Sequence, residues 1–432
     1  MRLPYRIVRP LARIALKIYF RKIYLTGLEN IPEDKPVILA ANHPTAFLEP
    51  CLLACTLPRP LHFMVRGDFF QKELHRQLLE SLHMMPIYRL KDIGLKGVKN
   101  NFSALDRVYD LLAQKKMVLI LAEGKTEHEK RLRPIQKGTA RMAMGAIKKY
   151  PDLDVQIVPI GVNYSDVLRF RSFVMLDIGK AMNVREYLGA TQQHPAKTIK
   201  QITKDLKGQL EQQVVIIDEI ADEDLTEQVF SLAQLKTKPF PIQLPNRQPL
   251  ILQKRIANHI NAMENTEKQS FKEKVDQFFN KLNALNIEPV ALQSIKKPSI
   301  FYYFKLVLGY IPYLLGYFVN LPPLYFGYWW AENKVREVVF YASIKASFAL
   351  AAYLVYAIFF LIVALLINQA YFYLIILAIP LLGLFSLYYW EFKIRGTQQV
   401  KIAKLDQSTI NNLLQERKEI LERFTEGSGK KK

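Results

Sequence analysis

From Ala346 to Trp390 the sequence contains no charged residue, and this gap constrains the fold more than any other feature. A bilayer core about 30 Å thick takes roughly 20 apolar residues per helix, so the run holds two spans and not three. Asn368 and Gln369 interrupt it near the middle. The expected form is a tight helical hairpin, 346–367 and 370–390, with Pro380 and Gly383 as a tolerated kink in the second span. Lys334, Arg336 and Lys345 precede the hairpin, and Lys393, Arg395, Lys401 and Lys404 follow it. The positive-inside rule puts both flanks in the cytoplasm, so an integral membrane protein with its preceding domain and C-terminus on that side is expected. The stretch 306–331 is also uncharged, but Pro312, Pro322 and Pro323 argue against a straight helix. A pair of half-helices, or a re-entrant or interfacial segment, is the expectation there.

Sixty Lys and Arg against 39 Asp and Glu leave a formal charge of +21, which calls for a polyanionic partner. Beside two spans, that partner is an anionic membrane lipid rather than nucleic acid, for there is neither zinc-finger spacing nor an arginine-rich arm. Cys51 and Cys55 have no second pair, so they form neither a disulfide framework nor a zinc site and read as small core residues in a reducing compartment. Basic residues interrupt the first two dozen positions, as a cleavable signal core would not allow. Arg9, Arg13, Lys17 and Arg21 line one side of a helical wheel and Leu11, Ile14, Ala15, Ile18 and Tyr19 the other. That pattern suits a helix lying on anionic lipid, and equally a helix packed on its own domain.

Five segments follow: a basic amphipathic helix at 1–24, a catalytic domain at 25–190, a helical connecting region at 191–300, a membrane segment at 301–395 and a charged helical tail at 396–432. The second has the alternation of an α/β domain, a mixed sheet flanked by helices. Its buried-strand candidates, Val37 to Ala41, Met117 to Ala122 and Val155 to Val162, each run into a polar cluster: Asn42-His43, Glu123-Gly124 and Asn163-Tyr164. Ligands collect beyond the carboxyl ends of strands in open α/β sheets, so the three clusters could share one site. The connecting region is rich in Lys, Glu and Gln and is broken by Pro239, Pro241, Pro245 and Pro249. No internal repeat is visible.

The chemistry is concentrated in Asn42-His43-Pro44-Thr45-Ala46-Phe47-Leu48-Glu49-Pro50. A carboxylate such as Glu49 can accept from one nitrogen of His43, fix the tautomer and free the other nitrogen to take a proton. The stretch resembles the His-x4-Asp block of the glycerol-phosphate and lysophosphatidate acyltransferase superfamily. Three more blocks follow in the family's order: Pro86-Ile87-Tyr88-Arg89, then Leu121-Ala122-Glu123-Gly124-Lys125-Thr126, then Ile157-Val158-Pro159-Ile160-Gly161-Val162. The resemblance runs from about Leu25 to Lys180. It departs where the acid is Glu49, six residues after the histidine, with Leu48 at the usual position. The third block also lacks its Thr-Arg-Ser. The longer spacing is similar to the branch that carries membrane helices after the catalytic domain, and Lys137-Gly138-Thr139 resembles a turn of that branch.

The resemblance implies a glycerol-phosphate acyltransferase-like fold and an O-acyl transfer. His43 would be the general base and Glu49 its orienter. Arg89, with Lys137 as a second candidate, would pair with the acceptor phosphate, and Glu123 and Gly124 would shape the turn around the acceptor. The acyl thioester donor would be a coenzyme A or carrier-protein derivative, and the phosphorylated acceptor glycerol 3-phosphate or lysophosphatidate, in phospholipid biosynthesis. No metal or bound cofactor is implied. Another lysolipid or an amino-acid lipid as acceptor, and a non-catalytic lipid-binding scaffold, are the alternatives. The sequence carries no sign of oligomeric state.

Overall fold

The computed structural model describes residues 3–87, 98–191, 194–234, 240–293, 295 and 297–425. The chain divides into two compact units, one of Met1–Ile216, Pro239–Ile251 and Glu337–Ser343, the other of Ile217–Lys238, Leu252–Arg336 and Ile344–Lys432.

The first unit opens with helix α1 (Leu3–Tyr19) and strand β1 (Lys22–Thr26), then β2 (Val37–Ala41), α2 (Leu48–Thr56), β3 (Leu61–Arg66), α3 (Glu73–Ser81) and β4 (Met84–Ile87). It continues through α4 (Val98–Ala113), β5 (Met117–Leu121), α5 (Gly138–Lys149), β6 (Gln156–Tyr164), β7 (Phe173–Ile178), β8 (Met182–Asn183), α6 (Val184–Thr191) and α7 (Pro195–Gln213). The strands form one mixed sheet in the order β4-β3-β5-β2-β6-β7-β1-β9, with β8 pairing β6 and with β9 (Gln243–Leu244) on the edge beside β1. The pairs from β4 to β6 are parallel, β6 and β7 are antiparallel, and β7, β1 and β9 are parallel again.

Parallel strands buried on both faces read as unbroken apolar runs, and β2, Val-Ile-Leu-Ala-Ala, is buried throughout. Ile38 and Ala40 of β2, Val118 and Ile120 of β5 and Ile157 of β6 share a core with Val108 and Leu112 of α4, Ala140, Ala143 and Ala146 of α5, and Ile202, Leu206 and Leu210 of α7. Burying a large aliphatic side chain of this kind is worth about 1.5–3 kcal/mol, so this layer fixes the three central strands in register. The proline-broken stretch at 239–249, expected as part of a helical connection, supplies β9. Asp177 at the end of β7 accepts from Thr26 at 2.7 Å and from Arg247 Nη2 at 2.7 Å, which ties that edge down.

The N-terminal helix ends at Tyr19, short of residue 24, and packs on its own domain. Its Arg9 and Arg13 turn inward: Arg9 Nε donates to the Ala54 carbonyl at 2.8 Å, Arg13 Nε to that of Cys55 at 2.6 Å, and Arg9 Nη2 reaches Leu57. The last carbonyls of α2 lack intrahelical partners, and two guanidiniums satisfy them, so these cations are withdrawn from the lipid-facing stripe the wheel suggests. Leu3, Ile7 and Ile14 remain exposed on α1.

The second unit contains α8 (Glu223–Ala233), most of α9 (Gln248–Asn261), α10 (Asn265–Ala284), α11 (Ile300–Lys334), most of α12 (Val338–Ile367), α13 (Ala370–Ala403) and α14 (Gln407–Thr425). Three of these, α11, α12 and α13, are long and apolar enough to cross a bilayer, the mark of a membrane protein. Asn368, in the left-handed region at φ 51°, makes the turn of the expected hairpin.

The expectation for 306–331 is corrected. In place of two half-helices or a re-entrant segment, α11 runs unbroken for 35 residues with Pro312, Pro322 and Pro323 inside it. A proline leaves the carbonyl four residues earlier without a donor, and neighbouring helices can supply one. The carbonyl of Val319, four before Pro323, accepts from the Tyr356 hydroxyl of α12 at 3.0 Å. Asn320 is buried beside it, donating to the carbonyls of Gly316 at 2.8 Å and Ile379 at 3.0 Å and accepting from the Tyr353 hydroxyl at 2.6 Å. Gly316 allows this close approach, for a Cβ there would meet Ser386 Oγ and the Leu382 carbonyl of α13.

Candidate active site

The site lies where the central parallel strands β5, β2 and β6 end side by side. Beyond Ala41 the ladder is continued by a side chain: Asn42 Nδ2 donates to the Val162 carbonyl at 3.0 Å and its Oδ1 accepts from the Val162 amide at 2.7 Å. This fixes where the chain leaves the sheet, and so where His43 stands. The His43 amide donates to Glu123 Oε2 at 2.9 Å, just past the end of β5. Three residues on, the Ala46 amide donates to the Val339 carbonyl at 3.0 Å. The loop 43–47 is thereby held at both ends before α2 begins.

Glu49 sits in the first turn of α2 and is fully buried at 0% exposure. Its Oε1 accepts from the Thr45 amide at 2.7 Å, the Thr45 hydroxyl at 2.7 Å and the Tyr164 hydroxyl at 3.3 Å. Its Oε2 lies 3.4 Å from His43 Nδ1, with no donor of its own. That separation is long for a hydrogen bond, as catalytic contacts often are before substrate binds. The imidazole is 7% exposed, and Nδ1 is enclosed, so what access the ring keeps is away from Glu49. Such an arrangement directs one nitrogen to the carboxylate and leaves the other for a proton in transit.

Both oxygens of Glu123 accept from backbone amides, Oε2 from His43 at 2.9 Å and Oε1 from Arg133 at 3.1 Å, so it ties the His43 backbone to the loop that follows β5. Burial pushes its carboxyl up, while the two backbone hydrogen bonds pull the other way. Gly124, at φ 69°, makes the turn that a side-chained residue would adopt only with strain. The loop closes where the Gln136 amide donates to the Ala122 carbonyl at 2.8 Å.

Among the cations, Lys137 is exposed at the start of α5. Arg89 lies outside the described residues. Arg133 pairs with Glu127 and with Glu129 at 3.1 Å. Arg131 stands 3.4 Å from Glu129, with Nη2 buried and unbonded. The structure thus brings together His43, Glu49 and Glu123, with Gly124 at the turn. Asn42, Thr45 and Tyr164 are the residues for which the sequence suggests no role. Asn42 and Tyr164 do stand in two of the three strand-end clusters and Thr45 within the His43 block, which was the available signal.

A family model described as Acyltransferase matches residues 22–163. Glycerol-3-phosphate O-acyltransferase 1 of Saccharomyces cerevisiae is 29% identical over 175 residues, covering 38% of this chain and 22% of the yeast protein. Glycerol-3-phosphate O-acyltransferase 2 of the same yeast is 29% identical over 147 residues, covering 34% of this chain and 19% of its own. An uncharacterized acyltransferase of Schizosaccharomyces pombe is 22% identical over 254 residues, covering 40% and 38%. The match thus spans about a fifth of the length of the two glycerol-3-phosphate relatives. The crystal structure of the 1-acyl-sn-glycerophosphate acyltransferase of Thermotoga maritima aligns with a TM-score of 0.35 at 13% identity, over 49% of this chain and 78% of that one.

Proposed function

We propose that this chain, whose residues 22–163 match an acyltransferase family model, moves a fatty acyl group from a thioester of coenzyme A or acyl carrier protein to a hydroxyl of glycerol 3-phosphate or lysophosphatidate. The observation that carries this reading is the pairing of His43 Nδ1 with a fully buried carboxylate oxygen 3.4 Å away at the end of the central strand.

In the reaction, the free nitrogen of His43 takes the proton of the acceptor hydroxyl as the oxygen attacks the thioester carbonyl. An ester C–O bond forms, the C–S bond breaks, and the imidazolium returns its proton to the departing thiolate. Glu49 holds the ring and is better satisfied when the ring is charged, which favours the state reached in the transition state. Glu123 fixes the backbone on which the base rides. Arg89 receives the acceptor phosphate, with Lys137 as the second candidate cation, and anionic lipid surrounds the apolar helices. The acyltransferase domain and the C-terminal tail face the cytoplasm, in line with the basic residues on both sides of the hairpin.

The test is acyl transfer by the purified full chain, with glycerol 3-phosphate and lysophosphatidate as rival acceptors and His43→Ala as the blank. The substitution is expected to lower turnover by about 10²–10⁴. Undiminished turnover would rule out His43 as the base. Arg89→Ala should raise the KM for the phosphorylated acceptor and leave that for the donor alone; an unchanged acceptor KM removes Arg89 from the phosphate.

A further inference from the structure

We infer that Thr45 and Tyr164 are positioning residues that hold Glu49 Oε1 so that Oε2 alone is presented to His43. The inference rests on the reading of His43 and Glu49 as base and orienter. A glutamate carries one rotatable bond more than an aspartate, and a carboxylate free to spin offers its base neither a fixed distance nor a fixed oxygen. Here the freedom is removed. Oε1 accepts from the Thr45 amide and hydroxyl, each at 2.7 Å, and from Tyr164 at 3.3 Å, which fills its accepting capacity. All three residues are buried, so water does not compete for these bonds. Among the described residues, Oε2 has no donor except the imidazole 3.4 Å away. The donors arrive from two directions, Thr45 from the loop that carries the base and Tyr164 from the end of β6, so the carboxylate is oriented against both the helix and the sheet.

Hydrogen bonds to a carboxylate resist its protonation, so a variant that lacks one of these donors is expected to take up a proton at the site more readily than the parent chain. The acid limb of the rate profile, which reports loss of the free base, then moves to higher pH. Other titratable groups face the pair from each neighbouring element: Cys51 on α2, Glu123 past β5 and, behind Tyr164, Tyr19 on α1. Burial pushes the Cys51 thiol and both phenols up, so they stay neutral across an acid limb.

The experiment compares Thr45→Val, Thr45→Ser and Tyr164→Phe with the parent chain in the acyl-transfer assay, as kcat, KM for each substrate and kcat against pH, with melting curves alongside. Thr45→Val keeps the amide and removes the hydroxyl. The expected result is a fall in kcat of roughly 10-fold with both KM values within about twofold, and an acid limb displaced to higher pH. Thr45→Ser restores the donor and should restore the profile. Tyr164→Phe should shift the limb in the same direction by less, its bond being longer. A residue that only packs would lower the melting point without moving the limb, and serine would then rescue no better than valine. Parental kcat and acid limb in folded Thr45→Val and Tyr164→Phe would overturn the inference. Should Thr45→Val not fold, Tyr164→Phe decides alone. If the parent chain is active and His43→Ala is dead, a parental profile in these variants defeats only the positioning role. If His43→Ala retains full activity, the underlying reading falls and this one with it.

Discussion

Glu49 shows how one extra methylene is accommodated beside the candidate base. It stands one position later than the aspartate of the resembling block, and its longer side chain reaches back from the first turn of α2 to the imidazole. Glu49→Asp should therefore withdraw the carboxylate from Nδ1 and lower kcat by about 10-fold or more, with KM little changed. A parental kcat in that variant would mean that the distance does not matter. The order of the blocks made His43 and Glu49 legible in the sequence. Thr45 and Tyr164 were not, because their bonds to Glu49 exist only once α2 and the end of β6 are folded together. His62 is a second residue whose state the fold decides. Burial first, and then charge repulsion from His83, whose ring lies 4.4 Å away, push its imidazole down to about 4 against a backbone hydrogen bond with Met117, with Lys116 and Arg107 adding to the repulsion. A histidine depressed in the folded state binds its proton first in the unfolded chain. Its stability contribution is thus full above the unfolded value of 6.5 and is lost as pH falls toward 4. The shift corresponds to about 3 kcal/mol as an upper bound. His62→Phe should flatten the loss of thermal stability between pH 7 and pH 4.5, and an unchanged slope would exonerate this residue.

At the scale of elements, the apolar hairpin and the central strands were written in the sequence, because long uncharged runs and short unbroken apolar runs each have few physical solutions. The bounds of β2 were legible to the residue. The helix α11 was misjudged because a proline's cost depends on what sits opposite its orphaned carbonyl, and that is information held by other helices. Tyr356 answers for Val319. Tyr356→Phe should accordingly lower stability by about 0.5–2 kcal/mol, measured as thermal unfolding in detergent or lipid discs. No change in midpoint would show that Val319 finds another donor. Gly316→Leu should be worse, since a side chain there meets the backbone of α13 instead of a movable tip. The edge strand β9 was hidden for the opposite reason: two residues after a run of prolines carry no pattern, and only pairing with Ile23 and Tyr24 reveals them.

At the scale of the whole molecule, composition and topology answer different questions. The charge of +21 and three long apolar helices mark a membrane protein, whereas the candidate site is built at strand ends that the charge says nothing about. The compact unit that carries His43 is itself assembled from separated pieces of chain. Its last piece is Glu337–Ser343, just ahead of the uncharged run, and from it Val339 lends its carbonyl to the amide of Ala46. A truncation ending at residue 336, the obvious way to obtain the α/β unit without the greasy hairpin, would cut away that acceptor. The expected consequence is faster amide exchange across residues 43–47 and weaker catalysis even where the sheet remains intact. Any attempt to solubilise this chain by trimming would need to graft those seven residues back.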